Sequence, residues 1–197
     1  MPFDLLLDFD RYKKCEGFSL FEPSLLAIVS YRTGQLLRRV RLPVIGQALR
    51  AVHVIVHGFV TVAVGIHLPR GTSIGPGLRI YHFGGIIISP SATIGRNCTL
   101  RQNVCIGTRY GKDDAPTIGD NVDFGVGAVV IGRVRIGNDV HVGANAVVLT
   151  DVPDNASAVG VPARIVLRAS KTTHPNVFVT RQLSSACLAI GRKHRDE

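Results

Sequence analysis

The sequence predicts a mainly β protein, a parallel β-helix preceded by an α-helical region. An aliphatic residue or phenylalanine recurs every six residues through most of residues 66–164. The same stretch holds 15 of the 21 glycines, and aromatic residues make up only 6% of the chain. A six-residue period matches neither a helix nor a plain strand. It fits a short strand and a tight turn per repeat, with three repeats closing one triangular coil and the coils stacking.

Residues 1–65 are predicted to be a helical N-terminal region. Apolar residues three and four positions apart follow Pro23 in SLLAIVSYRTGQLLRRV, and a second run with similar spacing follows Pro43. These spacings are typical of amphipathic helices.

Residues 66–164 are predicted to be the β-helix domain. The recurring inward residue is Leu68, Ile74, Ile80, Ile88, Ile94, Leu100, Ile106, Ile118, Phe124, Val130, Ile136, Val142 and Val148. The period breaks twice, at His82-Phe83-Gly84-Gly85 and at a polar segment predicted to be an extruded loop, residues 107–117. Because insertions in a repeat protein map to one face, both breaks are candidate sites. Residues 165–197 lose the repeat and are predicted to be a C-terminal tail, with a short helix near 182–191.

Composition excludes several function classes. The formal net charge of +9 is spread along the chain without a nucleic-acid-binding module, so we expect no nucleic-acid partner. The apolar run at 51–66 is shorter than a membrane span, and the acidic N-terminus does not resemble a signal peptide, which predicts a cytoplasmic protein without a membrane span. The four cysteines form no CxxC pair, and His53 and His57 lack a glutamate between them, so we expect no metal.

Two segments resemble the hexapeptide-repeat acyltransferases, and more narrowly the serine acetyltransferase-like family. They are IGPGLRIYHFGGIIISPSATIGRNCTLRQNVCIG and APTIGDNVDFGVGAVVIGRVRIGNDVHVGANAVVLTDVPDNASAVGVPARIV. The resemblance covers about residues 64–166. It implies a left-handed β-helix, a homotrimer with sites at subunit seams, and acetyl transfer from acetyl-CoA to a hydroxyl group.

The resemblance also implies roles for individual residues. His82 matches the family's catalytic histidine, the general base. In the family a carboxylate orients this histidine, and the corresponding position here is His67, to which we assign a supporting catalytic role. The resemblance places cofactor-binding residues at Thr108, Val126 and Ala144, with Arg109 and Arg164 meeting the phosphates of CoA.

Several family positions carry other residues here, and they bear on the acceptor. Tyr81 stands where the family has a carboxylate, Ala115 where it has a second histidine, and Pro90 where it has a glutamate. An ammonium group needs a carboxylate partner in a partly buried site. We therefore expect an acetyl-CoA-dependent O-acetyltransferase whose acceptor is a sugar of a polysaccharide or glycoconjugate. A genuine L-serine O-acetyltransferase of cysteine biosynthesis and a non-catalytic β-helix scaffold are the alternatives.

Overall fold

The computed structural model describes residues 2–13, 22–39 and 43–168. Three helices come first, namely α1 (Pro2–Lys13), α2 (Pro23–Leu37) and α3 (Pro43–Val64). Each begins with a proline, which suits the first helical turn because the N–H that proline lacks would have no partner there. The helical N-terminal region is thus confirmed.

Fifteen strands follow in the described part of the chain, none longer than four residues. They are β1 (Ile66–His67), β2 (Ser73–Ile74), β3 (Arg79–Tyr81), β4 (Ile86–Ile88), β5 (Thr93–Ile94), β6 (Thr99–Arg101), β7 (Cys105–Gly107), β8 (Thr117–Ile118), β9 (Asp123–Phe124), β10 (Val129–Ile131), β11 (Arg135–Ile136), β12 (His141–Val142), β13 (Val147–Val148), β14 (Ala156–Val159) and β15 (Arg164–Leu167).

From β1 to β13, strands that are three apart in sequence pair in parallel and form three sheets, and β14 and β15 extend the third sheet. The first sheet has the order β1-β4-β7-β10-β13, the second β2-β5-β8-β11, and the third β3-β6-β9-β12-β14-β15. Successive strands therefore lie on successive faces of a triangular prism, and the chain climbs by one strand spacing per coil. This β-solenoid matches the predicted left-handed parallel β-helix, so the fold class is confirmed.

The core of the β-helix is the column of inward residues that the six-residue period predicts. All thirteen of these residues are buried. The small residues four positions later are buried too, namely Ala92, Cys98, Val104, Val122, Ala128, Val134, Val140 and Ala146. Alternating large and small side chains fill a narrow prism in which Phe124 is the one aromatic residue of the inward column, which explains the low aromatic content.

Two of the three corners are built on residues with positive φ. At the corner between the second and third sheets these are Gly77, Asn97, Asn121, Asp139 and Asn155. At the corner between the third and first sheets they are Gly65, Gly85, Asn103, Gly127 and Asn145. Glycine, asparagine and aspartate tolerate the left-handed conformation best, so the turns of each coil select these residue types.

Side chains of α1 and α2 satisfy the backbone groups of the first coil that no earlier coil covers. Arg32 donates from Nη1 to Ile74 O (2.8 Å) and from Nη2 to Gly75 O (2.7 Å). The same guanidinium donates from Nε to Asp8 Oδ2 (2.8 Å), while Asp8 Oδ1 accepts from Leu78 N (2.8 Å). Burial raises the pKa of Asp8, against the opposing effect of the Arg32 hydrogen bond and charge.

Two buried tyrosines complete this contact. Tyr12 Oη donates to Ile80 O (3.0 Å) and accepts from Ile80 N (3.1 Å). Tyr31 Oη donates to Thr72 O (2.6 Å). Each hydroxyl lies inside an otherwise apolar contact, so the aromatic rings add burial while the oxygens pair the strand edge.

Helix α3 is turned with its polar stripe toward the protein. His53 Nε2 donates to Ser30 O (2.9 Å), and the His53 and His57 rings stack with centroids 5.6 Å apart. A Cβ on Gly34 would lie 2.8 Å from His53 Cε1, so glycine in α2 allows the close approach of α3. The apolar run at 51–66 is part of a longer helical stretch, Val44–Val64, which by length and composition alone could span a membrane. The absence of a membrane span therefore stays a prediction.

The C-terminal end of the β-helix is closed by an antiparallel strand instead of another parallel one. Strand β15 pairs antiparallel with β14, from Ala156 opposite Leu167 to Val159 opposite Arg164. Strand β15 lies where the six-residue repeat has ended. An antiparallel hairpin forms without that repeat. The helix expected near 182–191 lies outside the described residues.

Candidate active site

The first break in the repeat is a two-residue bulge at the corner between the third and first sheets. Strands β3 and β4 match β6 and β7 residue for residue, but the corner between them is two residues longer in the first coil. Gly84 O accepts from Asn103 N (3.2 Å), which aligns Gly84 with the next coil and leaves His82 and Phe83 as the extra residues. The insertion therefore lifts His82 out of the β-helix surface.

His82 is exposed and has a φ of 63°. A histidine held in the left-handed region costs conformational energy, and such residues cluster at functional sites. No carboxylate among the described residues forms a hydrogen bond or ion pair with His82. Its imidazole is thus presented to solvent, where it can accept a proton from a bound hydroxyl group.

Predicted CoA-binding residues continue the His82 corner along the β-helix. Asn145 N donates to Val126 O (2.8 Å), and this hydrogen bond places Ala144 over Val126 in the next coil. Arg164 lies at the same corner in the last strand of the third sheet, paired with Val159. Five strand spacings separate β3 from β15, so His82 and Arg164 mark the ends of a corner about 24 Å long.

The other two predicted CoA-binding residues lie at a different corner. Thr108 and Arg109 begin the extruded loop after β7, which spans residues 108–116. Asp114 Oδ2 accepts from the backbone N–H groups of Arg109 and Tyr110, both at 3.2 Å. About five residues of extended chain, or about 17 Å, lie between this loop and the His82 corner. Within one chain the loop does not meet His82.

His67 lies on the outward side of β1 and is exposed. It is in register with Ile87, one strand away in the first sheet. No hydrogen bond joins His67 to His82 in the part of the chain that the structure describes. The supporting role of His67 stays a prediction.

A row of charged residues that was not predicted from the sequence lies beside the bulge, on the outer face of the third sheet. The Arg79 guanidinium carbon lies 4.0 Å from the centroid of the Tyr81 ring, and that of Arg101 lies 5.4 Å from it. Arg101 donates to Asp123, whose Oδ2 is 3.2 Å from His141 Nδ1. The signal lay in the outward positions beside the inward residues of this sheet, because each of its strands from β3 to β12 carries arginine, aspartate or histidine at one of them.

These interactions determine the protonation state of Asp123. Burial alone would raise the pKa of Asp123, but hydrogen bonds from His141 and Arg101 outweigh it and hold that pKa below its usual 3.8. The carboxylate is therefore ionised and already bound. Two guanidinium groups lie against the Tyr81 ring, and Tyr81 itself supplies no carboxylate to an ammonium group.

Cys98 is the buried thiol of the inward column. Burial raises its pKa to about 11, and Sγ lies 3.3 Å from Gly119 O. A protonated thiol in this position packs the core and is not a nucleophile.

Comparison with known proteins gives consistent results. No family model matches the chain. The serine acetyltransferase of Synechococcus elongatus is 34% identical over 156 residues, covering 78% of this chain and 61% of that protein. The serine acetyltransferase of Helicobacter pylori strain J99 is 35% identical over 151 residues, covering 76% of this chain and 84% of that protein. The chain thus spans less than two thirds of the first relative.

Solved structures share the fold. Soybean serine acetyltransferase complexed with serine superposes with a TM-score of 0.70 at 32% identity, covering 83% of this chain and 68% of that one. A serine acetyltransferase in complex with CoA superposes with a TM-score of 0.70 at 28% identity, again covering 83% and 68%.

Proposed function

Since the chain belongs to the serine acetyltransferase-like family of hexapeptide-repeat acyltransferases, we propose that it transfers acetyl from acetyl-CoA to an acceptor hydroxyl group. The observation that carries this proposal is the bulge that presents His82 at one end of the long corner. It lies where the family motif has its catalytic histidine. A general base at that point fits direct transfer without a covalent enzyme intermediate.

In the proposed reaction His82 acts as the general base. Its neutral imidazole takes the proton of the acceptor hydroxyl as the oxygen attacks the thioester carbonyl. The tetrahedral intermediate then collapses, the C–S bond breaks, and the imidazolium returns the proton to the departing thiolate of CoA. A positioned base of this kind contributes about 10²–10⁴ in rate.

The corner above His82 is the proposed track for CoA. Val126 and Ala144 offer small side chains past which a pantetheine arm can approach the backbone, and Arg164 offers a guanidinium for phosphate at the far end. Thr108 and Arg109 lie on another corner, so in our proposal they serve the site of a neighbouring copy in a homotrimer. Light scattering tests that assembly, and a stable monomer would remove their role.

L-Serine is the first candidate acceptor. The relatives are named serine acetyltransferases, and one of the similar structures is a complex with serine. This support favours the serine alternative over our first expectation of a sugar.

A sugar hydroxyl group is the second candidate, and one observation favours it. Tyr81 replaces the carboxylate expected beside His82, and the guanidinium of Arg79 lies against its ring. The ammonium group of serine would lack a carboxylate partner at that position, whereas a sugar needs none. The cytoplasmic location stays a prediction for either acceptor.

The test is CoA release from acetyl-CoA, with L-serine, simple sugars and nucleotide-sugars as acceptors. We expect His82→Ala to lose about 10²–10⁴-fold in acceptor-dependent rate. His141→Ala is the matched control, because it removes a partly exposed imidazole three strand spacings away on the same sheet. Retained activity in His82→Ala would overturn the assignment of the base.

The acceptor that stimulates release decides between the two candidates. Release with serine alone would show that the missing carboxylates have been replaced. Release with a sugar but not with serine would place the protein in glycan modification. If no acceptor stimulates release and CoA does not bind, the protein is a non-catalytic scaffold and the proposal fails.

A further inference from the structure

Helix α3 turns its polar side toward the protein and its apolar side toward solvent, the reverse of a surface helix in a soluble protein. His57 accepts from Ser30 Oγ at Nδ1 (2.8 Å) and donates from Nε2 to Leu68 O (3.2 Å). Together with His53 it forms the inward stripe, hydrogen-bonded to α2 and to the segment after β1. Burial and the neighbouring His53 lower the pKa of His57, so the His57 ring is uncharged at neutral pH.

The outward side of α3 is almost wholly aliphatic. Nine large apolar side chains are exposed along it, namely Val44, Ile45, Leu49, Val52, Val54, Ile55, Val56, Phe59 and Val62. A monomeric soluble protein rarely exposes a contiguous patch of this length, because each side chain loses the free energy of burial. The outward face of α3 therefore needs an apolar partner.

The charge around α3 indicates which partner. Residues 23–112 contain 11 lysines and arginines and no aspartate or glutamate. Two of these arginines, Arg38 and Arg39, are exposed just before α3 begins. A second copy would bring the same positive field to the contact and be repelled, whereas an anionic lipid surface would be attracted.

We propose that the outward face of α3 is an interfacial membrane anchor, seated among the acyl chains of an anionic lipid surface with Arg38 and Arg39 at the headgroups. The inward stripe stays bonded to Ser30 and Leu68, so α3 lies along the surface and does not cross the bilayer. An apolar face flanked by basic residues is the usual composition of such helices.

The anchor places the His82 corner near the lipid. Gly65 directly follows α3, and a Cβ on it would lie 3.2 Å from Gly84 Cα in the bulge corner. The anchor does not depend on the proposed reaction, since it rests only on α3 and its charges.

The test is flotation of the full chain with vesicles of phosphatidylcholine alone or mixed with phosphatidylglycerol. We expect binding to the anionic vesicles, weakened by salt. The double variant Ile55→Gln/Phe59→Gln removes two side chains that are each 74% exposed, and we expect its partition constant to fall at least about tenfold per side chain. Leu167→Gln is the matched control, because Leu167 is 72% exposed at the far end of the β-helix.

A second pair of variants tests the charge. Arg38→Gln/Arg39→Gln should weaken binding about fivefold per arginine, whereas Arg133→Gln/Arg135→Gln, on the β-helix and outside that basic segment, should leave it unchanged. Light scattering of each variant tests whether a second copy of the chain, instead of lipid, covers the outward face of α3. Wild-type protein that ignores anionic vesicles overturns the anchor. So does an Ile55→Gln/Phe59→Gln variant that dissociates a wild-type oligomer, because copies of the chain would then cover this face.

Discussion

Replacing Tyr12 by phenylalanine removes one oxygen atom from the contact between α1 and the first coil. That oxygen donates to Ile80 O and accepts from Ile80 N, and it lies 3.2 Å from Ser24 Oγ. Tyr12 and Ile80 are both fully buried, and β3 has no strand on its outer side. Burial raises the pKa of Tyr12 to about 12, so the hydroxyl keeps its proton under all working conditions.

The cost follows from the groups left behind. Phenylalanine keeps the ring packing but leaves the N–H and C=O of Ile80 without partners in a closed apolar contact. An unpaired buried polar group costs about 1–3 kcal/mol, so we expect Tyr12→Phe to lower the free energy of unfolding by about 2–6 kcal/mol. For a chain of this size each kcal/mol lowers Tm by about 2–4 °C.

Denaturant and thermal unfolding followed by circular dichroism measure this loss. Tyr110→Phe removes the same oxygen from a side chain that is 88% exposed, and we expect it to change the free energy of unfolding by less than about 0.5 kcal/mol. If Tyr12→Phe were as mild as this control, the hydroxyl would not be pairing the edge of β3. The hydrogen bonding described for α1 would then be refuted.

Three further predictions concern protonation and the corners. The folded-state pKa of His57 lies below 6.5, so its contribution to stability is present above about pH 6.5 and is lost as pH falls through the lowered pKa. Denaturant unfolding at about pH 7.5 and 5.5 should show this loss of stability. The His57→Gln variant should lose less stability between the two pH values than wild type does. The pKa of Asp123 is also lowered, so Asp123→Asn should destabilise the protein above about pH 4 and converge with wild type at lower pH. Gly127→Ala, at φ +67° and against Asn145 Oδ1, should cost at least about 1–2 kcal/mol, whereas Gly58→Ala, in open space on α3, should stabilise by about 0.5–1 kcal/mol.

Each of these has a clear contrary result. A pH profile that His57→Gln leaves unchanged would mean that the α2–α3 contact does not titrate through this imidazole. A stability gap between wild type and Asp123→Asn that persists in acid would mean that the carboxylate is not held ionised. Equal effects of the two glycine substitutions would mean that the corners relax around an added Cβ.

Much of the β-helix could be predicted from the sequence because its core is periodic. Every inward position from Leu68 to Val148 follows from the six-residue spacing and its two breaks, whereas the left hand of the coil was predicted only from the family resemblance. Position in the coil also predicted that His82 is not inward, and the motif predicted its role.

The rest depends on contacts that leave no periodic signal. Asp8 forms an ion pair with Arg32, 24 residues later, and also accepts a hydrogen bond from the backbone N–H of Leu78. No local sequence pattern encodes such contacts. Helix α3 was predicted from its spacing, but which of its faces is turned inward depends on two histidines that hydrogen-bond to the neighbouring backbone. The loop at Thr108 and the His82 bulge are both visible as breaks, yet only the coil register shows that they occupy different corners.

The two ends of the β-helix have a consequence for solubility. A stack of parallel coils has an open row of N–H and C=O groups at each end, and two such ends from different molecules could join into a growing fibre. Here Tyr12 of α1 and Arg32 of α2 bond to the open edge of the first coil, and the reversed strand β15 covers the last parallel strand of the third sheet. These covers oppose growth of the stack at both ends. Substitutions that loosen either cover should reveal themselves first as aggregation rather than as loss of the fold.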